Sequence, residues 1–394
     1  MSTDRSLSFP TRELFPLLAL TLSAFLLNTS EFVPIGLLTD IAGSFSLSES
    51  TAGIMISVYA AAVAVLSLPL MLAASRVPPK ALMVTVLGVF CLGQVASALA
   101  PAFKLLVAAR LIVAAAHAVF WSVASPFAVR IVAPQRSSRA MSMIVTGTSI
   151  AMILGMPLGR ALGLALGWRA TFGCVAAAAL LALLALAACF PRLDAGERFT
   201  LERLPELARN RALVGIYLVT ILFATGYYTG YSYIEPFLQQ IAGMPSMQVT
   251  AALTAFGIAG LVGSWLFARF FDAHRQTFLV LTIAGITVAL FALAPLAPWV
   301  AGPFVVCALW GASATAFNVA AQAEVIRITP QEASSVAMSL FSGLFNIGIG
   351  IGSTVGGAVC DTLGIGLIGT VGEIIAAAGT AYCVFRLARL LERA

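Results

Sequence analysis

The chain has 394 residues, 60% of them hydrophobic and only 10% charged, with a formal net charge of +6. A water-soluble domain of this size needs far more charge to cover its surface, so that class is excluded. The mean hydropathy of +1.01 marks a membrane protein instead, whose positive balance meets anionic lipid and does not imply nucleic acid.

A crossing of the hydrocarbon core takes about 20 apolar residues, and hydropathy predicts twelve spans, near 14–38, 51–74, 81–99, 102–125, 139–162, 169–190, 212–238, 248–270, 277–295, 299–321, 333–357 and 364–388. In lipid every backbone polar group must be satisfied internally, so the spans are helices and the fold class is an all-α membrane protein. The first run holds Asn28 and Glu31 and is too long for a cleavable leader, so it reads as a retained span. Eighteen of the 22 Lys and Arg collect at alternate turns, around Arg12, Arg76/Lys80, Arg130/Arg136/Arg139, Arg192 to Arg211, Arg269/Arg275, Arg327 and Arg386/Arg389 among others. The turns near 40–50, 239–250, 294–300 and 360–364 carry none. Basic residues are retained on the cytoplasmic side, which places both termini inside. Lys104, Arg160 and Arg169 break the pattern and belong at outer ends, while Arg110 lies inside a span. The six cysteines, Cys91, Cys174, Cys189, Cys307, Cys360 and Cys383, lie in or at the ends of apolar runs without paired spacing and read as packing residues.

One polar stretch, residues 191–211, interrupts the apolar pattern and contains LERLPELA, a candidate short surface helix. It divides the chain into an N-terminal six-helix bundle (1–190), a cytoplasmic linker (191–211) and a C-terminal six-helix bundle (212–394). The halves echo each other. Ile41-Ala42-Gly43 recurs as Ile241-Ala242-Gly243; Ala140-Met141-Ser142 recurs as Ala337-Met338-Ser339. At the latter offset Gly155 and Gly159 fall on Gly352 and Gly356, and Arg130 falls on Arg327. Two repeated halves are a recurrent transporter architecture, with solute held near the midplane.

The segment GTSIAMILGMPLGR (147–160), with Gly147, Gly155, Pro157 and Gly159, carries a Gly/Pro pattern in the fifth span, with Met156 where a glycine is usual. The loop SRVPPK (75–80) has only basic ends, whereas GSWLFARFFDAHR (263–275) holds Gly263, Asp272 and Arg275. On these motifs the chain resembles the antiporters of the major facilitator superfamily over essentially its whole length. The stretches TSEFVPIGLLTDIA (29–42), AHAVFWSVASPFAVRI (116–131), GYSYIEPF (230–237) and MSLFSGLFNIGIGIG (338–352) are similar to the sugar efflux (SotB-like) branch of the drug:proton antiporters. The resemblance implies two halves related by a pseudo-twofold along the membrane normal, a bacterial inner (plasma) membrane location, a monomer, and Gly155, Pro157, Gly159, Asp272 and Arg275 as conformational motif residues. It also implies outward movement of sugars such as arabinose-like pentoses or thiogalactosides.

Ionisable groups in a bilayer are costly and usually line a pathway or pair with one another. Glu31 and Arg110 both lie roughly 10–12 Å below the outer edge at ~1.5 Å per residue, and His117 is one heptad deeper. Arg110, His117 and Trp121 fall within about 40° on a helical wheel. Burial opposes a charge on Glu31 while a nearby Arg110 favours it, and imidazole exchanges protons near neutrality; these three are the candidate proton-coupling residues. The competing readings are a static structural acid, a satisfied bundle histidine and an arginine that snorkels to the interface. Glu235, in Ile-Glu-Pro, reads as a mouth or hinge residue, and Glu373 as peripheral.

A second set suits a polyhydroxylated or aromatic guest: Asn28, Tyr59, Trp121, Tyr228, Tyr231, Glu235, Asn318, Gln322 and Asn346, with Thr21 beside Asn28 on span one and with Tyr217, Tyr228, Tyr231 and Glu235 sharing one face of span seven by helical spacing. Amides serve hydroxyls as donors and acceptors, and aromatic faces pack on the apolar side of a sugar ring. Helix–helix glue and interfacial belts are the alternatives. The glycine-rich 341–357 segment follows no strand, so it reads as close helix packing, not a nucleotide loop. Pro34, Pro69, Pro126, Pro157 and Pro236 are candidate kinks. No metal spacing, nucleophile elbow or phosphate loop occurs in the sequence; the chain is not read as an enzyme, and no cofactor or metal is expected. The expected partners are a small solute, protons and membrane lipids. The sequence therefore reads as a proton-coupled efflux transporter for small sugars, with a multidrug or nucleoside antiporter as the alternative within the fold and a passive channel or membrane sensor outside it.

Overall fold

With no water in the hydrocarbon core to satisfy peptide groups, an apolar chain of this kind has only the helix open to it. A computed structural model describes residues 9–74, 77–133, 136–193, 204–330 and 333–392. Among these residues twelve helices are long and apolar enough to cross a membrane: Thr11–Gly36, Glu49–Met71, Pro79–Leu99, Phe103–Ile131, Thr146–Leu166, Trp168–Cys189, Arg211–Gln240, Ser246–Phe270, Arg275–Leu296, Gly302–Arg327, Val336–Thr362 and Ile365–Glu392. They are spans one to twelve below. Of the 191–211 stretch, residues 194–203 lie outside the described residues, as do Ser75 and Arg76 of the 75–80 loop. The described end of the stretch forms the short helix Leu204–Arg209. Asn210 then caps span seven, its side-chain oxygen accepting from the Ala212 and Leu213 amides.

The helices depart from the expected boundaries for identifiable reasons. Span four continues to Ile131 with Pro126 inside it, because neighbouring groups re-satisfy a proline-freed carbonyl in a bundle. Span five carries a π-type turn at Ala151–Gly155 immediately before Pro157, the wider turn accommodating a ring that has no N–H to offer the preceding carbonyls. Span one ends at Gly36, and the chain resumes as the short helix Leu38–Ser44. Span seven is two pieces, Arg211–Tyr231 and Ile234–Gln240, broken at Ser232-Tyr233.

Two compact units partition the described residues. The first draws on Met1–Val33, Leu66–Gly155 and Leu162–Phe199; the second on Pro34–Val65, Met156–Ala161 and Thr200–Ala394. Packing inside them follows the internal repeat. Span three lies against spans four and six, as span nine lies against spans ten and twelve. A Cβ at Gly155 would press on Thr29 of span one, and one at the repeat-related Gly352 would strike the Thr225 carbonyl of span seven. The glycines recur because each lets one backbone approach another closely.

The tightest crossing joins spans eight and ten. A Cβ at Gly311 would collide with the Phe256 carbonyl oxygen, and one at Gly263 with the Ala312 carbonyl. Gly43, in the short helix after span one, has open space around it. Gly311→Ala is therefore expected to cost about 1–3 kcal/mol by overpacking, while Gly43→Ala stays within about 0.5 kcal/mol of the parent. Thermal unfolding of both purified variants in one detergent checks the contrast.

Candidate functional site

Span one carries Asn28, Ser30 and Glu31 into the first unit, and span four meets it there with Arg110, His117 and Trp121. The His117 Nε2 atom stands 3.8 Å from a Glu31 carboxylate oxygen, with the two side chains 5% and 16% exposed. The Trp121 ring is tilted against His117 at a centroid distance of 6.1 Å. Arg110 spreads its guanidinium over Ser30, donating from one nitrogen to the hydroxyl and from another to the main-chain carbonyl, both at 2.9 Å. Gln94 of span three donates to the same hydroxyl, and the Phe172 ring lies 5.7 Å from the guanidinium carbon. The expected face of span four is thus real and adjoins span one. Arg110 holds the residue immediately before Glu31, fixing where that carboxylate points. Asn28 is buried on the same helix.

Two full charges about 4 Å apart interact by about 4 kcal/mol at an effective dielectric of 20. A charge gained or lost on one of the two would therefore be felt by the other. The arrangement can take up or release a proton, since both groups are exchangeable and both sit close to a fixed cation.

In the second unit Glu235 lies against Arg160, whose nitrogen is 2.6 Å from the carboxylate, with both side chains 0% exposed. The same nitrogen donates to the Gly36 carbonyl at 2.6 Å. Thr39 donates to the other carboxylate oxygen through its amide (3.2 Å) and hydroxyl (2.8 Å), and Gln239 donates from one turn on. Arg160, expected at an outer helix end, is wholly buried there, its charge set against its nearest acid and a backbone carbonyl.

The expected tyrosine face is divided by the break in span seven. Tyr228 and Tyr231 precede it and join a ring cluster with Tyr227, Phe256 and Trp310; Tyr231 is 4.9 Å from Phe256, and Tyr227 is 5.6 Å from Trp310. Glu235 follows the break and belongs to the ion pair. Tyr217 donates to the Ala337 carbonyl at 2.8 Å. Gln322 donates to Asn318 at 2.6 Å, and Asn346 donates to the Ser342 carbonyl at 3.0 Å. Tyr59 is buried in span two. Of the motif residues, Gly155 packs on Thr29, Pro157 follows the π-type turn, Gly159 is buried, and Asp272 is exposed. Arg275 approaches Glu324 (3.9 Å), which Arg327 holds at 2.8 Å.

Sequence reasoning passed over Ser30, Gln94, Arg160, Glu324, Tyr227 and Trp310. Arg160 and Glu324 carried a signal, each being a charge set in an apolar run. The repeat offered nothing at Glu324, since Phe127 occupies the corresponding place in the first half. Ser30 and Gln94 carried none, because only the packing of spans three and four on span one makes them partners of Arg110.

Residues 20–353 match the Major Facilitator Superfamily. The chain belongs to the Major Facilitator Superfamily. It is a multi-pass membrane transporter and not an enzyme, and transporters of this superfamily bind small-molecule substrates. Among solved structures, the chain is similar to a bacterial homolog of the human lysosomal transporter Spinster, in an inward-facing and unoccupied conformation (TM-score 0.79, 16% identity, covering 98% of this chain and 99% of that one). The occupied form of that homolog gives 0.76 and 17%, covering 97% and 98%. A D-xylose-proton symporter gives 0.77 and 14%, covering 95% and 97%. At these identities the likeness shows the fold of the transporter and no more.

Arg110→Lys keeps the charge but replaces a two-pronged donor by one ammonium, so that either the hydroxyl or the carbonyl of Ser30 loses its bond to residue 110. The expected loss is about 1–3 kcal/mol. It is read as a lower unfolding temperature that Arg110→Lys/Ser30→Ala does not lower much further, since both changes act on one hydrogen-bonded cluster.

Proposed function

We propose that this transporter is a proton-coupled exporter of small sugars or sugar analogues, working by alternating access of its two six-helix halves (1–190 and 212–394), with both termini cytoplasmic in a bacterial inner membrane. The observation that carries the reading is the buried Glu31–His117 contact beside a backbone-anchored Arg110. A proton-exchanging pair inside a transporter bundle is what ion coupling requires. The charge asymmetry of the turns supports the orientation, and the resemblance to sugar efflux proteins supports both export and arabinose-like pentoses or thiogalactosides as solutes. Tyr228, Tyr231, Asn318, Gln322 and Asn346 supply aromatic faces and amides suited to hydroxylated guests, with Asn28, Tyr59 and Trp121 as further candidates. Glu235 is better read as structural in this cycle, given its partners.

In the proposed cycle the solute binds from the cytoplasm while Glu31 and His117 are deprotonated. The halves rock, protons from outside load the pair and displace the solute, and the protonated form resets. One proton falling through 100 mV supplies ~2.3 kcal/mol, which sustains about a 50-fold solute gradient at one-to-one exchange, given ~1.36 kcal/mol per decade.

A second reading, a multidrug or nucleoside:proton antiporter, draws on the ring cluster of Tyr227, Tyr231, Phe256 and Trp310, which suits an amphipathic guest. Arabinose-induced proton movement in proteoliposomes separates the two. The intact protein is expected to respond to arabinose, and Glu31→Gln and His117→Ala to reduce the response about 100-fold, in the range lost with a proton-transfer group. A response to an amphipathic cation but not to arabinose favours the second reading. Full responses in both variants remove Glu31 and His117 from the coupling.

A further inference from the structure

Glu373, a half-buried acid on the peripheral span twelve, has no hydrogen bond or ion pair among the described residues. Glu13, Glu31, Glu235 and Glu324, by contrast, meet Arg136, His117, Arg160 and Arg327 in turn. A lone ionisable group inside a bilayer is costly, so its partner has to be found. This half of the chain supplies no cation. Residues 212–394 contain no lysine and six arginines, Arg269, Arg275, Arg327, Arg386, Arg389 and Arg393, all on the side that the charge pattern places inside. Glu373 lies toward the other end, eight residues after Ile365. Its Cα is roughly 12 Å from the start of the helix at ~1.5 Å per residue. The 28-residue span outruns a hydrocarbon core of about 30 Å, which leaves the carboxyl just inside the outer boundary. Helical side chains lean toward the N-terminus, here the outer end, and that carries it toward the headgroups. The repeat puts Ala176 at the same place in span six, where no acid is present.

Packing within the second unit decides what surrounds Glu373. Gly369 and Gly372 of span twelve lie against Leu290 of span nine, and a Cβ on Gly369 would press on the Leu290 carbonyl. Farther in, the Thr380 and Thr287 hydroxyls are hydrogen-bonded at 2.9 Å. Glu373 is one heptad from Thr380, about 20° round the helix, so it stands along the same seam. Across the seam, the exposed Phe291 is one turn outward of Thr287. Pro295, inside span nine, has no N–H to give the Phe291 carbonyl four residues earlier. Thr370, one turn outward of Glu373, is exposed, as is Ile374 beside it. A carboxyl, an aromatic face, a carbonyl without its usual helical donor and a hydroxyl therefore gather on the lipid-facing side. Together these hold an ammonium: the carboxylate supplies charge, the ring its electron-rich face, and the oxygens accept N–H bonds.

We propose that the lipid-facing seam between spans nine and twelve binds an ammonium head carried on an aliphatic tail, with Glu373 as the counter-ion and Phe291 and Thr370 as further contacts. An amphiphile in the outer leaflet keeps its cation near the boundary and its tail in the core, so it reaches the carboxyl without leaving lipid. The site is separate from the ring cluster of Tyr227 and Trp310, and the inference rests on neither export nor the proton pair.

The test compares a diazirine-bearing long-chain primary amine with the alcohol of the same chain, at equal bilayer concentration, in phosphatidylglycerol nanodiscs holding the intact protein. Photoadducts on spans nine and twelve are counted against those on spans three and six. At spans nine and twelve the amine is expected to exceed the alcohol about tenfold, as one charge-assisted contact would give. Glu373→Gln is expected to abolish that preference, and Phe291→Leu to lower it about threefold. Thermal unfolding checks that each variant folds. Equal labelling by amine and alcohol in the intact protein overturns the site, as does a preference that survives Glu373→Gln. If Glu373→Gln does not fold, an unchanged preference in Phe291→Leu overturns it. Replacing half of the lipid by phosphatidylethanolamine separates two sources of the same chemistry. Suppressed amine labelling assigns the site to that headgroup, and undiminished labelling assigns it to single-chain amines. Loss of arabinose-driven proton flux would sink the functional reading and leave the labelling result standing.

Discussion

A charged side chain kept inside a helix bundle must replace its lost hydration with protein dipoles, and span one supplies them at two levels. Arg110 takes the carbonyl of Ser30, and Arg160 takes the carbonyl of Gly36. Each arginine is thereby fixed close to an acid: Arg110 beside Glu31, Arg160 on Glu235. Main-chain carbonyls suit this task because they carry a strong dipole without a charge of their own, so they hold a guanidinium without cancelling its field. The positions of both acids follow from that anchoring.

The two acids differ in what surrounds them. Glu31 keeps some exposure and faces an imidazole at 3.8 Å, an arrangement poised for exchange. Glu235 accepts from Arg160, Thr39 and Gln239 and has no exposure at all. The donors around Glu235 fix its geometry, whereas Glu31 has an imidazole as its neighbour. The same residue type, in the same bundle, meets two different surroundings.

Movement in such a bundle needs contacts that are specific yet separable. Glycine supplies them where spans one and five, spans seven and eleven, and spans eight and ten touch backbone to backbone. The bends lie beside those contacts: the π-type turn before Pro157, the stop at Gly36 and the break at Ser232-Tyr233. Each marks a place where the helical ladder is already interrupted, so a change of direction there disturbs few hydrogen bonds. In two further ion pairs, Glu13 with Arg136 and Glu324 with Arg327, a partly exposed arginine meets a buried carboxylate.

The number of spans and the helical class could be read from the chain because hydropathy acts locally: the bilayer tests each segment of about 20 residues by itself; the superfamily was legible through the resemblance of the 147–160 and 263–275 motifs. The Arg110, His117 and Trp121 face was legible for the same reason, since helical spacing alone brings them together, and the structure adds Glu31 to it. The repeat foretold that glycines 155 and 352 would occupy equivalent crossings. Helical spacing failed at span seven, where the wheel that joined Tyr231 to Glu235 assumed an unbroken helix. Arg160 and Glu235, 75 residues apart, became partners only when spans five and seven were packed. Ser30 and Gln94 acquired a role in the same way. Such pairings depend on which side chains a low-dielectric interior brings within hydrogen-bond reach, and distance along the chain carries no information about that.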